Sequence, residues 1–238
     1  MGAKRKSQKR QNNYSNVVEF TNFKKQNQVT IIPRNKNQEQ YTLKLLDQTK
    51  DIVFGVGPAG TGKTLLAVQV AVKMFKEGIV DKIIVTRPAV SVDEDLGFLP
   101  GTLEQKMAPW SRPIFDVLRD YFHAKEISNM IDEGIIEIAP LAYMRGRTFK
   151  KCFILADEMQ NATENQMKML LTRLGEGSRM AVTGDLAQAD RIKDNGLIKF
   201  VQKLQSNNSN RLDIVRFAQG DIERHEAVKE VLKIYGDS

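Results

Sequence analysis

The sequence is poor in the residues that brace small or metal-dependent proteins. Its 238 residues include one cysteine, Cys152, so neither a disulfide framework nor a cysteine zinc cluster can form within the chain. Two histidines give no basis for a histidine-rich metal site. No apolar run approaches the roughly 20 residues that span a bilayer. The basic N-terminus lacks the apolar stretch of a signal peptide. Met1-Gly2 is followed at position 6 by Lys6 rather than Ser or Thr, so the myristoylation pattern fails. These absences predict a soluble cytoplasmic protein with no membrane partner. Ordinary fractions of charged (27%) and hydrophobic (41%) residues exclude wholesale disorder. The length fits one large domain or two small ones and suffices for a substantial core.

What is present is unevenly placed. The net charge is +7, yet residues 1–25 hold seven basic side chains and one acid, Glu19, while the remainder holds 29 basic and 28 acidic residues. Residues 1–28 therefore read as a Gln/Asn/Ser-rich basic tail, disordered on its own. Its charge suits a nonspecific nucleic-acid arm or a merely solubilising terminus, and charge alone does not choose between them.

From residue 29 to 238 the pattern becomes that of one α/β domain. Short apolar runs at Ile52–Val56, Lys82–Thr86, Ile135–Ile138, Cys152–Ala156, Met180–Thr183 and Leu212–Phe217 alternate with helical periodicity. Such runs predict a mostly parallel sheet covered by helices on both faces, with Cys152 as a small core residue. Residues 89–110, containing Pro100-Gly101 and Pro109, read as a long loop.

The run Gly57-Pro58-Ala59-Gly60-Thr61-Gly62-Lys63-Thr64 follows a strand and opens a helix, the context a Walker A loop requires. Glycines let backbone N–H groups converge on phosphate oxygens, and the helix N-terminus favours negative charge. Lys63 is expected to bridge the β- and γ-phosphates, and the Thr64 hydroxyl to ligate Mg²⁺. At the end of a later apolar strand, Asp157 and Glu158 read as a Walker B acid for the metal and a carboxylate that polarises the attacking water. The competing reading of such a pair is a helix cap. Thr183-Gly184-Asp185 with Gln188 ends another strand; the Gln188 amide suits sensing the γ-phosphate or orienting water, and Gly-Asp is also a common turn pair. Upstream, Gln38 and Tyr41 are candidates to pair with and stack on adenine.

Together these residues resemble the PhoH-like family of P-loop ATPases, related to superfamily 1 helicases. The resemblance covers about residues 30–235. It rests on Pro33-Arg34-Asn35 with Gln38 and Tyr41, the Walker A loop, Thr86-Arg87-Pro88-Ala89 and Leu96-Gly97-Phe98-Leu99-Pro100-Gly101. It continues through Tyr143-Met144-Arg145-Gly146-Arg147-Thr148-Phe149, Asp157-Glu158-Met159-Gln160-Asn161, and Thr183-Gly184-Asp185 with Gln188.

The resemblance implies a single RecA-like P-loop domain that hydrolyses ATP to ADP with Mg²⁺ and acts on RNA or single-stranded DNA. The sequence departs from the family at Glu226, where a proline usually follows the Arg-His pair represented here by Arg224-His225. Longer members carry additional nucleic-acid-binding segments for which this chain has no room. Superfamily 1 helicases close two RecA-like domains around ATP, and this length provides for one. An arginine finger is therefore expected from a neighbouring subunit of a homo-oligomer, a hexameric ring, with Arg145, Arg147, Arg173 and Arg224 as candidates. The rival reading is a nucleotide-switched assembly protein without strand separation; a kinase is disfavoured by Glu158. The compact chain leans toward a phage product.

Overall fold

A computed structural model describes residues 29–88, 103–188, 195–223 and 226–235. The elements run α1 (Lys36–Leu46), β1 (Ile52–Val56), α2 (Lys63–Lys76), β2 (Lys82–Arg87), α3 (Leu103–Arg119), α4 (Ala124–Asp132) and β3 (Ile136–Pro140). They continue with β4 (Cys152–Ala156), α5 (Glu164–Leu171), β5 (Arg179–Gly184), α6 (Gly196–Gln205), β6 (Leu212–Arg216) and α7 (Glu226–Tyr235). The strands form one sheet in the order β3-β2-β4-β5-β1-β6, and every neighbouring pair is parallel. This is the single α/β domain that the alternating pattern predicts. The basic tail, residues 1–28, lies outside the described residues.

A parallel sheet covered on both faces must bury both sides of its central strands, and β1 and β4 are buried at every position. On one face Val53, Val85, Phe153 and Leu155 pack against Tyr41 of α1, Leu66 and Val70 of α2, and Ile114 and Leu118 of α3. On the other, Phe54, Ile154 and Val182 meet Met167 and Leu170 of α5 and Leu197 and Val201 of α6. No helix among the described residues is long and apolar enough to cross a membrane.

One segment departs from the sequence reading. The expected loop 89–110 is helical from Leu103 onward, and α3 runs through Pro109 and Pro113. Proline lacks an N–H and normally disrupts a helix interior, so its presence here misdirects a local reading. Residues 89–102 lie outside the described residues.

Gly55, in the middle of β1, has a specific reason to be glycine. A Cβ there would sit 2.8 Å from the Tyr41 ring, which closes over the strand and meets Phe217 edge-on at 5.6 Å. Gly55→Ala is expected to cost about 1–3 kcal/mol by overpacking, read as a lower urea midpoint. Tyr41→Phe should leave stability unchanged or raise it, because the buried Tyr41 hydroxyl has no hydrogen-bond partner among the described residues.

Candidate functional site

Parallel strands deliver their carboxyl ends to one edge, and β5 lies between β4 and β1 in the sheet. The loop after β1, the acids after β4 and the turn after β5 therefore meet over β5. They line a cleft of about 250 Å³ that includes Ala59, Gly60, Lys63, Thr64, Asp157, Glu158, Thr183, Asp185 and Gln188. Among the described residues no arginine lines it.

The loop after β1 depends on two left-handed or extended glycine conformations. Gly57 has φ 146°, and a Cβ there would lie 2.4 Å from the Phe217 carbonyl oxygen. Gly62, at φ 82°, caps α2 and turns the helix N-terminus toward the cleft. Lys63 folds back over the loop, its Nζ donating to Gly57 O at 2.8 Å, Pro58 O at 2.6 Å and Thr61 Oγ1 at 3.1 Å. Burial pulls the Lys63 ammonium below its usual range, and the charges of Asp185, Glu158 and Asp157 oppose that shift.

Asp157 is the junction of the site. Its Oδ1 accepts from the Thr64 hydroxyl at 2.7 Å and also from the Thr183 hydroxyl, and its N–H donates to Thr86 O at 2.9 Å. A hydroxyl and a carboxylate on one side of a phosphate loop suit Mg²⁺, which is held by one or two carboxylates plus substrate oxygens and water. Among the described residues no group of three or more His, Cys, Asp or Glu side chains is placed to hold a metal ion.

Glu158 follows at φ 53°, ψ 38°, a left-handed conformation that is costly for a side-chain-bearing residue. Its Oε1 lies 3.9 Å from Arg87 Nη2, and its Oε2 accepts from Gln160. Asp185 Oδ2 accepts the Ala59 N–H at 3.1 Å. Gln188 is exposed at the rim, its N–H on Asp185 O at 3.3 Å.

The upstream pair is placed differently from its expected role. Tyr41 is completely buried beneath β1, so its ring is closed to a base; burial, and then the Asp157 charge, push its phenol far above the usual range. The Gln38 amide is also committed, with Nε2 donating to Thr61 O at 3.1 Å and Oε1 accepting from Arg34 N at 2.9 Å. In this structure Gln38 braces the phosphate loop. The other end of the chain braces it too: Glu223 N donates to Gly60 O at 3.1 Å, and Asn37 Nδ2 to Asp221 Oδ2 at 2.6 Å.

Of the arginine candidates, Arg147 is gripped by both oxygens of Glu137 on edge strand β3 and lies 4.5 Å over the Phe149 ring. Arg173 donates to Arg147 O and Met169 O, both at 3.1 Å. Arg145 is exposed, and Arg224 lies outside the described residues. Sequence reasoning assigned no role to Gln160, to the Asp185–Ala59 contact or to the Asp221 clasp. Gln160 and Asp185 stand inside motifs that it did single out.

The Arg147 hydrogen bonds hold the Glu137 carboxyl below its usual 4.5. A depressed carboxylate contributes stability above its unfolded pKa and loses it as pH falls through the folded value. Wild-type stability should therefore drop below about pH 4.5, and Glu137→Gln should flatten that part of the curve, measured by urea denaturation across pH 2.5–6.

Comparison with known proteins agrees with the geometry. The family model described as PhoH-like protein matches residues 30–236. The PhoH-like protein of Bacillus subtilis (strain 168) is 45% identical over 206 residues, covering 87% of this chain and 64% of that protein. Protein PhoH of Escherichia coli (strain K12) is 41% identical over 209 residues, covering 86% and 58%. The chain thus spans about three-fifths of the length of the curated relatives it matches. The UvsW helicase from bacteriophage T4 superposes with a TM-score of 0.48 at 14% identity, over 79% of this chain and 61% of that one, a likeness too loose to bear on activity. On the match across residues 30–236, this chain belongs to the PhoH-like protein family.

Proposed function

We propose that the chain is a Mg²⁺-dependent ATPase that couples turnover to binding or moving along RNA or single-stranded DNA. The observation that carries the hydrolytic half is the convergence of Thr64 and Thr183 on Asp157, with Glu158 beside it, across the cleft from the phosphate loop. The loop N–H groups and the α2 N-terminus bind phosphate oxygens, and Lys63 exchanges its loop carbonyls for the β- and γ-phosphates. Thr64 and Asp157 would hold the metal, which would supply charge neutralisation across the phosphates. Glu158 accepts the proton of the attacking water, and Gln188 at the rim helps to orient it.

The nucleic-acid half is supported by the same sheet edge. Arg87 ends β2, and the turn after β3 exposes Tyr143 beside Arg145, a stacking face next to a phosphate partner. An arginine finger would come from a neighbouring subunit of a homo-oligomer, with a hexameric ring as the natural closed form; Arg145, exposed on the surface, is free to serve where Arg147 and Arg173 are engaged within their own subunit.

The test is steady-state ATP hydrolysis with and without single-stranded RNA and DNA. Wild type should be stimulated by one polymer, and Lys63→Ala should abolish turnover. Glu158→Gln should keep nucleotide binding and lose about 10²–10⁴-fold in kcat. Tyr143→Ala should weaken polymer binding by about 1–3 kcal/mol in an equilibrium titration. Slow hydrolysis indifferent to both polymers would favour the nucleotide-switched assembly protein instead.

A further inference from the structure

Glu158 must present one carboxylate oxygen to a water from a backbone conformation that does not hold itself in place. Left-handed φ and ψ at a glutamate cost about 1 kcal/mol or more, so the surroundings must impose them. The short 3-10 turn Met159–Asn161 that follows contains Gln160, which is 2% exposed. Its side chain is wedged between the ends of β4 and β5. Oε1 accepts the Asp185 N–H at 3.1 Å and lies 3.0 Å from where a Cβ on Gly184 would stand. Nε2 donates to Glu158 Oε2, and the Gln160 carbonyl accepts from Asn195 Nδ2 at 2.7 Å.

This amide has one workable orientation. Turned over, it would set its NH₂ against the Asp185 N–H and its oxygen against the Glu158 carboxylate, two like-to-like contacts in a buried space. The Asp185 N–H therefore dictates that Nε2 points at Glu158. Asp185 in turn holds the phosphate loop through the Ala59 N–H at 3.1 Å. A continuous line of hydrogen bonds runs from the loop through Asp185 and Gln160 to the carboxylate. Glu158 Oε2 is held, and Oε1 keeps a loose ion pair with Arg87 at 3.9 Å.

We infer that Gln160 is a positioning residue for hydrolysis, which fixes the Glu158 carboxylate and ties its placement to the phosphate loop through Asp185. The inference rests on the ATPase reading above. Gln160 touches neither nucleotide nor water in this scheme; it acts only through Glu158.

That dependence makes a double-mutant cycle the decisive experiment. Wild type, Gln160→Leu, Glu158→Gln and the double variant are compared for kcat, KM and affinity for a fluorescent ADP analogue, with single-turnover assays for the slow forms. Gln160→Leu should lower kcat about 10–100-fold with KM and ADP affinity within about twofold of wild type. In the Glu158→Gln background the same change should alter kcat by no more than about twofold, because the residue it positions is already disabled. Gln160→Glu, which keeps the shape and the acceptor for Asp185 but replaces the donor with a carboxylate, should be impaired like Gln160→Leu, and it runs the cycle if the leucine variant does not fold. Additive losses, or a parallel loss of ADP affinity and kcat, would overturn the inference while leaving the ATPase reading intact. A wild type that binds ATP and never hydrolyses it would overturn that reading, and this inference with it.

Discussion

The site depends on one buried oxygen. Asp157 is 7% exposed, and a carboxylate that far from water needs donors aimed at it. Two hydroxyls supply them, Thr64 from the first turn of α2 and Thr183 from the end of β5, while the Asp157 N–H ties to Thr86 O at the end of β2. One residue thereby fastens together three strands and the helix behind the phosphate loop. The arrangement exists because the sheet is wholly parallel: each strand brings its carboxyl end to the same edge, and β5 separates β4 from β1 by one strand's width. Lys63 is the counterweight, a cation in the same buried ground whose charge is opposed by burial and supported by Asp185, Glu158 and Asp157.

Much of this is legible in the sequence, because some chemistry admits few residue types. A loop that wraps phosphate needs glycine where φ is positive, and Gly60 and Gly62 adopt φ of 80° and 82°. A strand that ends in two acids after an unbroken apolar run places them at the ligand edge of any parallel sheet. The apolar runs themselves marked the six described strands, most plainly β1 and β4, since strands buried on both faces cannot alternate.

What escaped the sequence has physical reasons as well. Tyr41 beside a phosphate loop is the same letter whether its ring faces a base or the core; the signal was the glycine inside Ile52–Val56, where a missing side chain announces that something approaches the strand. Pro109 lies in the stretch read as a loop, yet α3 continues through it. Gln160 stood inside a motif, but its contact with Asp185 could not be read from it: the partner lies 25 residues away, and no local pattern encodes that pairing.

The clasp around the phosphate loop has a consequence for the order in which the protein matures. Gly57 is walled by Phe217, Gly60 is held by the N–H of Glu223, and Asp221 closes on Asn37. A nascent chain emerging from the ribosome displays the whole Walker A sequence early, yet it lacks these supports until β6 and the segment beyond it have been synthesised. The braced form of the loop thus waits on residues 217–223, and a truncated product that ends before them lacks the contacts that brace it.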